Sequence, residues 1–94
     1  MAVESKKSGW CKFIKLCATL KTEEQFSNFF NLILTHAEKE DIALRIEIIS
    51  GLLRGEITQR ELAKKLKISI AKISRGSNAL KTIDTQIKKI LQNS

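Results

Sequence analysis

Three observations predict an all-α chain: 94 residues hold no proline, only four glycines, and apolar residues that recur at helical rather than alternating spacing. At this length the expectation is one domain, residues 9–94, preceded by a polar arm, residues 1–8. Six helices are expected. Trp10, Phe13, Ile14, Cys17 and Leu20 make the stripe of the first. Thr22-Glu23-Glu24-Gln25 is a capping box that opens the second, in which Phe26, Phe29, Phe30, Ile33 and Leu34 form an apolar face with the character of core. Thr35-His36-Ala37-Glu38 is a similar start signal. The third helix then runs to about Leu53, and Gly55 stops it. Its apolar residues (Ile42, Leu44, Ile46, Ile48, Ile49, Leu52, Leu53) lie on more than one stripe, so it needs cover on two sides. A chain this small buries little surface by itself, and a homodimer sharing one core is the economical solution. A short last helix is read from Asp84 to Leu91, with Ile83, Ile87, Ile90 and Leu91 apolar.

Residues 59–81 carry the remaining two helices and most of the charge. Arg60, Lys64, Lys65, Lys67, Lys72, Arg75 and Lys81 face Glu61 alone there, which accounts for six of the chain's net seven positive charges. Leu62, Ala63, Leu66, Ile68, Ile70 and Ile73 have the offsets of a helix-turn-helix, with the small Ala63 where two helices approach closely. Thr58, with Glu61 three residues on, caps the first helix, and the Ser69 hydroxyl is placed to accept a first-turn amide of the second. Lys67 stands where such turns favour glycine, because a positive φ costs a side chain roughly 1 kcal/mol. A localised positive field on a compact helical unit is the footprint of a phosphate-backbone binder, set against the plainer reading of a solvated helical face.

In the second of these helices Lys72, Gly76 and Ala79 share one face, with Arg75 at its edge, while Ile70, Ile73, Ser77 and Leu80 share the face turned to the core. A glycine inside a helix costs roughly 1 kcal/mol relative to alanine. Gly76 therefore marks either a close helix–helix approach or a place where a flat ligand meets bare backbone. Arg45 also has two readings, a ligand contact or an ion pair with Asp41 one turn earlier. Cys11 and Cys17, six residues apart on a helix, cannot bridge without distortion; with no secretory leader read, they imply reduced thiols in the cytoplasm. His36 is the single histidine and sits beside a cap. No zinc spacing, catalytic cluster, phosphate-cradling glycine loop or membrane span is present, so neither an enzyme nor a metal protein is expected.

Arg75-Gly76-Ser77-Asn78-Ala79-Leu80-Lys81, with Leu52-Leu53-Arg54-Gly55-Glu56 and Gln59-Arg60-Glu61-Leu62 upstream, resembles the bacterial tryptophan repressor family, and the likeness runs from Trp10 to about Leu91. The resemblance implies an intertwined homodimer built from the first three helices and the last, double-stranded operator DNA as partner, and L-tryptophan as corepressor with no other cofactor. It implies that the indole lies between the guanidinium groups of Arg45 and Arg75, a pairing suited to arginine, which stacks on aromatic faces and pairs with carboxylates. Leu32 and Leu34 match positions whose backbone carbonyls hold the ligand's amino group. Thr35 matches a hydroxyl near its carboxylate, and Gly76 the point where the ring meets the helix. Lys72 stands where the well-known enterobacterial form has threonine, and Ala79 where it has serine. Ala79 offers the ammonium no hydroxyl, and Lys72 has the carboxylate or a DNA phosphate within its chemistry.

For DNA, Lys64, Lys65, Lys81 and Lys67, with Gln59 and Arg60 at the amide-rich start of the first helix, are expected on phosphates. Ser69, Ile70, Ala71, Lys72 and Ser74 are expected at base edges. The expected function is a repressor of tryptophan biosynthesis or uptake genes. Two rivals remain: a constitutive or differently liganded helix-turn-helix regulator of the same fold, and a helical module whose basic face meets an acidic protein.

Overall fold

The computed structural model describes residues 2–93, with side chains from residue 7 onward. The described residues contain no strand and form six helices: α1 (Ala2–Thr19), α2 (Glu23–Ile33), α3 (His36–Arg54), α4 (Gln59–Leu66), α5 (Ile70–Leu80) and α6 (Thr85–Gln92). They fall into two compact units, Met1–Thr35 and His36–Ser94.

In the first unit, residues 2–8 of the expected arm belong to α1, while Met1 lies outside the described residues. Alanine, glutamate and lysine in this stretch are good helix formers, and no glycine intervenes before Gly9. Thr22 caps α2 as a full capping box: its Oγ1 accepts the Gln25 amide at 3.1 Å, and Gln25 Oε1 accepts the amides of Lys21 (2.7 Å) and Thr22 (3.3 Å). Phe13 joins the two helices, stacking on Trp10 (5.4 Å between centroids) and Phe29 (5.8 Å) and tilting against Phe30 (6.3 Å). Such pairs add to the area they bury. The phenylalanine face expected as core is only half-buried, and none of residues 7–35 is fully buried.

The second unit has a core. Ile48 of α3, Leu62 and Ala63 of α4 and Ile73 of α5 are buried, with Leu44, Leu52, Leu66 and Ile68 packed around them. Thr58 Oγ1 accepts the Glu61 amide at 3.1 Å, its hydroxyl lies 3.1 Å from the Glu61 carboxylate, and α4 starts there. Lys67 ends α4 in the left-handed region (φ 57°, ψ 45°), and the amides of Lys67 and Ile68 close onto the carbonyls of Lys64 (3.2 Å) and Ala63 (3.0 Å). The chain then turns through Ile68 and Ser69 into α5. Ser69 occupies the N-cap position, but its hydroxyl makes no cap bond; its carbonyl takes the Lys72 amide at 3.2 Å, and the exposed hydroxyl faces solvent. Ile70, assigned to the core face on spacing, is exposed, because it begins the helix ahead of the turn that Ile73 buries. Asp84 caps α6 by accepting the amides of Gln86 (3.0 Å) and Ile87 (3.2 Å).

Two glycines set the helix spacing. A Cβ on Gly51 would come within 2.7 Å of the Leu62 side chain, and one on Gly76 within 2.8 Å of Ile48 Cγ2. So α3 meets α4 at one glycine and α5 at the other. α6 also packs on α3. The second stripe of α3 stays open: Ile42 and Ile46 are exposed, as are Ile87 and Ile90 of α6. Among the described residues no helix is long and apolar enough to cross a membrane.

Candidate ligand cleft and nucleic-acid interface

The approach of α5 to α3 at Gly76 leaves a cleft beside it of about 420 Å³, a size suited to a small metabolite. From α3 it is lined by Asp41, Leu44, Arg45, Ile48 and Ile49, and from α5 by Lys72, Arg75, Gly76 and Ala79. Helical repeat explains both sets. Counted from Asp41, Leu44, Arg45, Ile48 and Ile49 stand three, four, seven and eight residues on along α3; counted from Lys72, Arg75, Gly76 and Ala79 stand three, four and seven residues on along α5, so each set shares one helix face. Gly76 is thus a packing point against Ile48 and part of the cleft wall.

The lining combines aliphatic surface with three cations and one carboxylate. Among the described residues His36 Nε2 lies 2.9 Å from the Glu40 carboxylate, and no ion pair joins Asp41 to Arg45. Both are exposed, where an ion pair gains little over hydration and costs side-chain freedom. The structural ion pair considered for Arg45 is thus not formed. Arg45 and Arg75 both line the cleft, whose residue types suit a planar apolar group bearing an anion.

Of the residues expected to hold a ligand, Arg45, Lys72, Arg75, Gly76 and Ala79 line this cleft. Leu32, Leu34 and Thr35 belong to the first unit. Leu32 lies in the last turn of α2 and is 80% exposed; Leu34 is the C-cap of α2, its amide bonded to the Phe30 carbonyl at 2.8 Å. The sequence reading placed Asp41 only as a salt-bridge partner and missed Leu44, Ile48 and Ile49 as cleft wall. Their signal was the helical step from Arg45, obscured because apolar residues surround α3.

The exposed surface of the two-helix unit is predominantly basic. Arg60, Lys64, Lys65, Lys67, Ser69, Ile70, Ala71, Lys72, Ser74 and Lys81 are all exposed, while Leu62, Ala63 and Ile73 between them are buried. Gln59 differs from the others: its Nε2 donates to Ser77 Oγ at 3.3 Å, tying the start of α4 to the middle of α5. Cys11 and Cys17 are both unpaired. Among the described residues no cluster of histidine, cysteine or carboxylate side chains has the arrangement of a metal site.

The family model described as Trp repressor protein matches residues 8–94. The chain belongs to the Trp repressor family. It is 50% identical over 93 residues to the Trp operon repressor homolog of Chlamydia caviae, covering 99% of this chain and 92% of that protein. It is 49% identical over 85 residues to that of Chlamydia trachomatis serovar D, covering 90% of each. At greater distance, the homolog of Vibrio campbellii is 32% identical over 82 residues, 87% of this chain and 82% of that protein. Membership makes this chain a DNA-binding transcriptional repressor and not an enzyme.

Proposed function

We propose that this member of the Trp repressor family is a cytoplasmic homodimer that binds double-stranded operator DNA when L-tryptophan occupies the α3–α5 cleft, and so represses genes of tryptophan biosynthesis or uptake. One observation carries this reading: α5 supplies both sides of the device. Its first turn, with Ile70, Ala71, Lys72 and Ser74 exposed, is available to base edges, and Lys72, Arg75, Gly76 and Ala79 line the cleft. A ligand in the cleft touches the same rigid helix that reads DNA.

In this reading the indole lies between Arg45 and Arg75, against Gly76, and the carboxylate meets Arg75 and Lys72. The family likeness also assigns the carbonyls of Leu32 and Leu34 and the hydroxyl of Thr35 to the ligand's polar head. Lys64, Lys65, Lys67, Lys81 and Arg60 contact phosphates and set register, with Gln59 at the start of α4; Ser69, Ile70, Ala71, Lys72 and Ser74 face the major groove. Two-fold symmetry places the paired α5 helices about 34 Å apart, one duplex turn, in the docking for which this family is itself a standard example. The residues from 9 to 94 act as one domain within the dimer. The exposed apolar side chains of α1, α2, α6 and the second stripe of α3 form the subunit contact.

Tryptophan acts by binding the DNA-competent angle of α4 and α5 more tightly than other angles. At a 100-fold preference per site, two sites shift the balance by about 5.5 kcal/mol. A DNA-binding titration with and without free tryptophan tests the gate: the expected result is tight operator binding only with the amino acid. A second reading, a constitutive or differently liganded regulator, is favoured by Lys72 and Ala79 in the cleft wall. Calorimetry separates the two, because the constitutive regulator takes up no tryptophan heat.

A further inference from the structure

Asp41 is the one cleft residue whose side chain can only accept hydrogen bonds. The rest of the wall is cationic (Arg45, Lys72, Arg75), aliphatic or glycine, and Ala79 presents a methyl group. Asp41 forms no ion pair with Arg45, although one helical turn, roughly 5–6 Å between Cβ atoms, separates them. A wall with several positive donors and a single negative acceptor matches a head group that carries both charges. An anion alone would satisfy the cations and leave the Asp41 carboxylate facing another negative charge.

We propose that Asp41 is the specificity residue that makes this cleft select a zwitterionic α-amino acid over the corresponding carboxylic acid. The inference rests on the tryptophan reading above and adds a charged acceptor to the cleft wall. The α-ammonium meets the Asp41 carboxylate, the α-carboxylate meets Arg75 and Lys72, and the ring stacks on Arg45. No proton or covalent bond changes hands, and selection is electrostatic. Losing a charge-assisted hydrogen bond of this kind corresponds to roughly a tenfold to hundredfold change in affinity.

The test compares L-tryptophan with indole-3-propanoate, which keeps the ring and carboxylate and lacks the ammonium. Calorimetric affinities are measured for the full chain, Asp41→Ala and Asp41→Glu, with helicity checked by circular dichroism. The expected result is that the native chain prefers tryptophan, that Asp41→Ala loses that preference by tenfold or more while its affinity for indole-3-propanoate holds or rises, and that Asp41→Glu restores part of it. A merely structural role would weaken both ligands together. If the native chain binds tryptophan and the preference survives in Asp41→Ala, the role of Asp41 is overturned and the tryptophan site stands. If the native chain binds neither ligand, the tryptophan reading falls and this inference with it.

Discussion

The two units of this chain are both helical and comparably rich in apolar residues, yet among the described residues only one has an interior. Residues 36–94 bury Ile48, Leu62, Ala63 and Ile73 completely or nearly so, with helices spaced by Gly51 and Gly76. Residues 7–35 bury nothing fully: Trp10 is 64% exposed, Leu32 80%, and the four phenylalanines share a half-buried cluster. Helical periodicity alone does not distinguish these cases. The first unit has the apolar faces of a core without the second layer that would close them. Its stability is therefore borrowed from whatever covers them, which in our reading is the partner subunit.

The largest effect expected from breaking this comparison is at Ile73, which is 0% exposed. Ile73→Ala should cost about 2–5 kcal/mol in chemical denaturation, at any protein concentration at which the fold is assembled. Phe13→Ala, which removes the ring shared by Trp10, Phe29 and Phe30, should act through assembly. The native Tm should rise with protein concentration, and Phe13→Ala should lower it most in dilute solution. A native Tm independent of concentration would remove the borrowed-stability explanation.

Within the second unit, substitutions sort by the side of α5 they touch. Arg75→Ala should reduce tryptophan affinity roughly tenfold to a hundredfold and abolish tryptophan-dependent operator binding with helicity intact. Unchanged tryptophan dependence in gel shifts would end the assignment of Arg75 to the cleft. Gly76→Ala places a methyl 2.8 Å from Ile48 Cγ2. Overpacking of this kind costs about 1–3 kcal/mol, partly offset by about 1 kcal/mol of helix propensity. The thermal midpoint should fall and tryptophan binding weaken together; a stabilised variant with normal binding would show that α5 can move away from α3 without consequence.

Lys81→Ala leaves the cleft untouched. It should weaken binding to specific and scrambled DNA alike and reduce the salt slope by about one unit. A loss confined to one base position would contradict a phosphate contact. Lys67→Gly has the smallest expected effect. It relieves a left-handed lysine (φ 57°) and should stabilise the fold by about 1 kcal/mol in a melt. A destabilised Lys67→Gly would mean that the lysine stem packs usefully in the turn.

Most of the helices were legible because their ends are written locally. Thr22 with Gln25, Thr58 with Glu61, Asp84 at α6 and Gly55 after α3 each satisfy orphan backbone groups within a few residues, so neighbouring side chains suffice to place them. The same locality misled at Ser69, an N-cap in position without the hydrogen bond, and at residues 2–8, where a polar stretch was also a good helix former. The basic face of 59–81 was equally legible, since charge on a helix surface needs no partner to be exposed.

The amino-acid order by itself determined that this chain is all-α, where its helices start and stop, and which surface is positive, because caps, periodicity and charge act over one or two turns. Only the tertiary structure decided that α3 and α5 approach closely enough to share a cleft, that Asp41 joins Arg45, Lys72 and Arg75 around it without pairing to Arg45, and that residues 7–35 close no core of their own. Those outcomes depend on contacts between different helices, such as Gly76 of α5 against Ile48 of α3. Their geometry is set by how side chains such as Ile48, Leu62 and Ile73 fill space together, and no local signal encodes it.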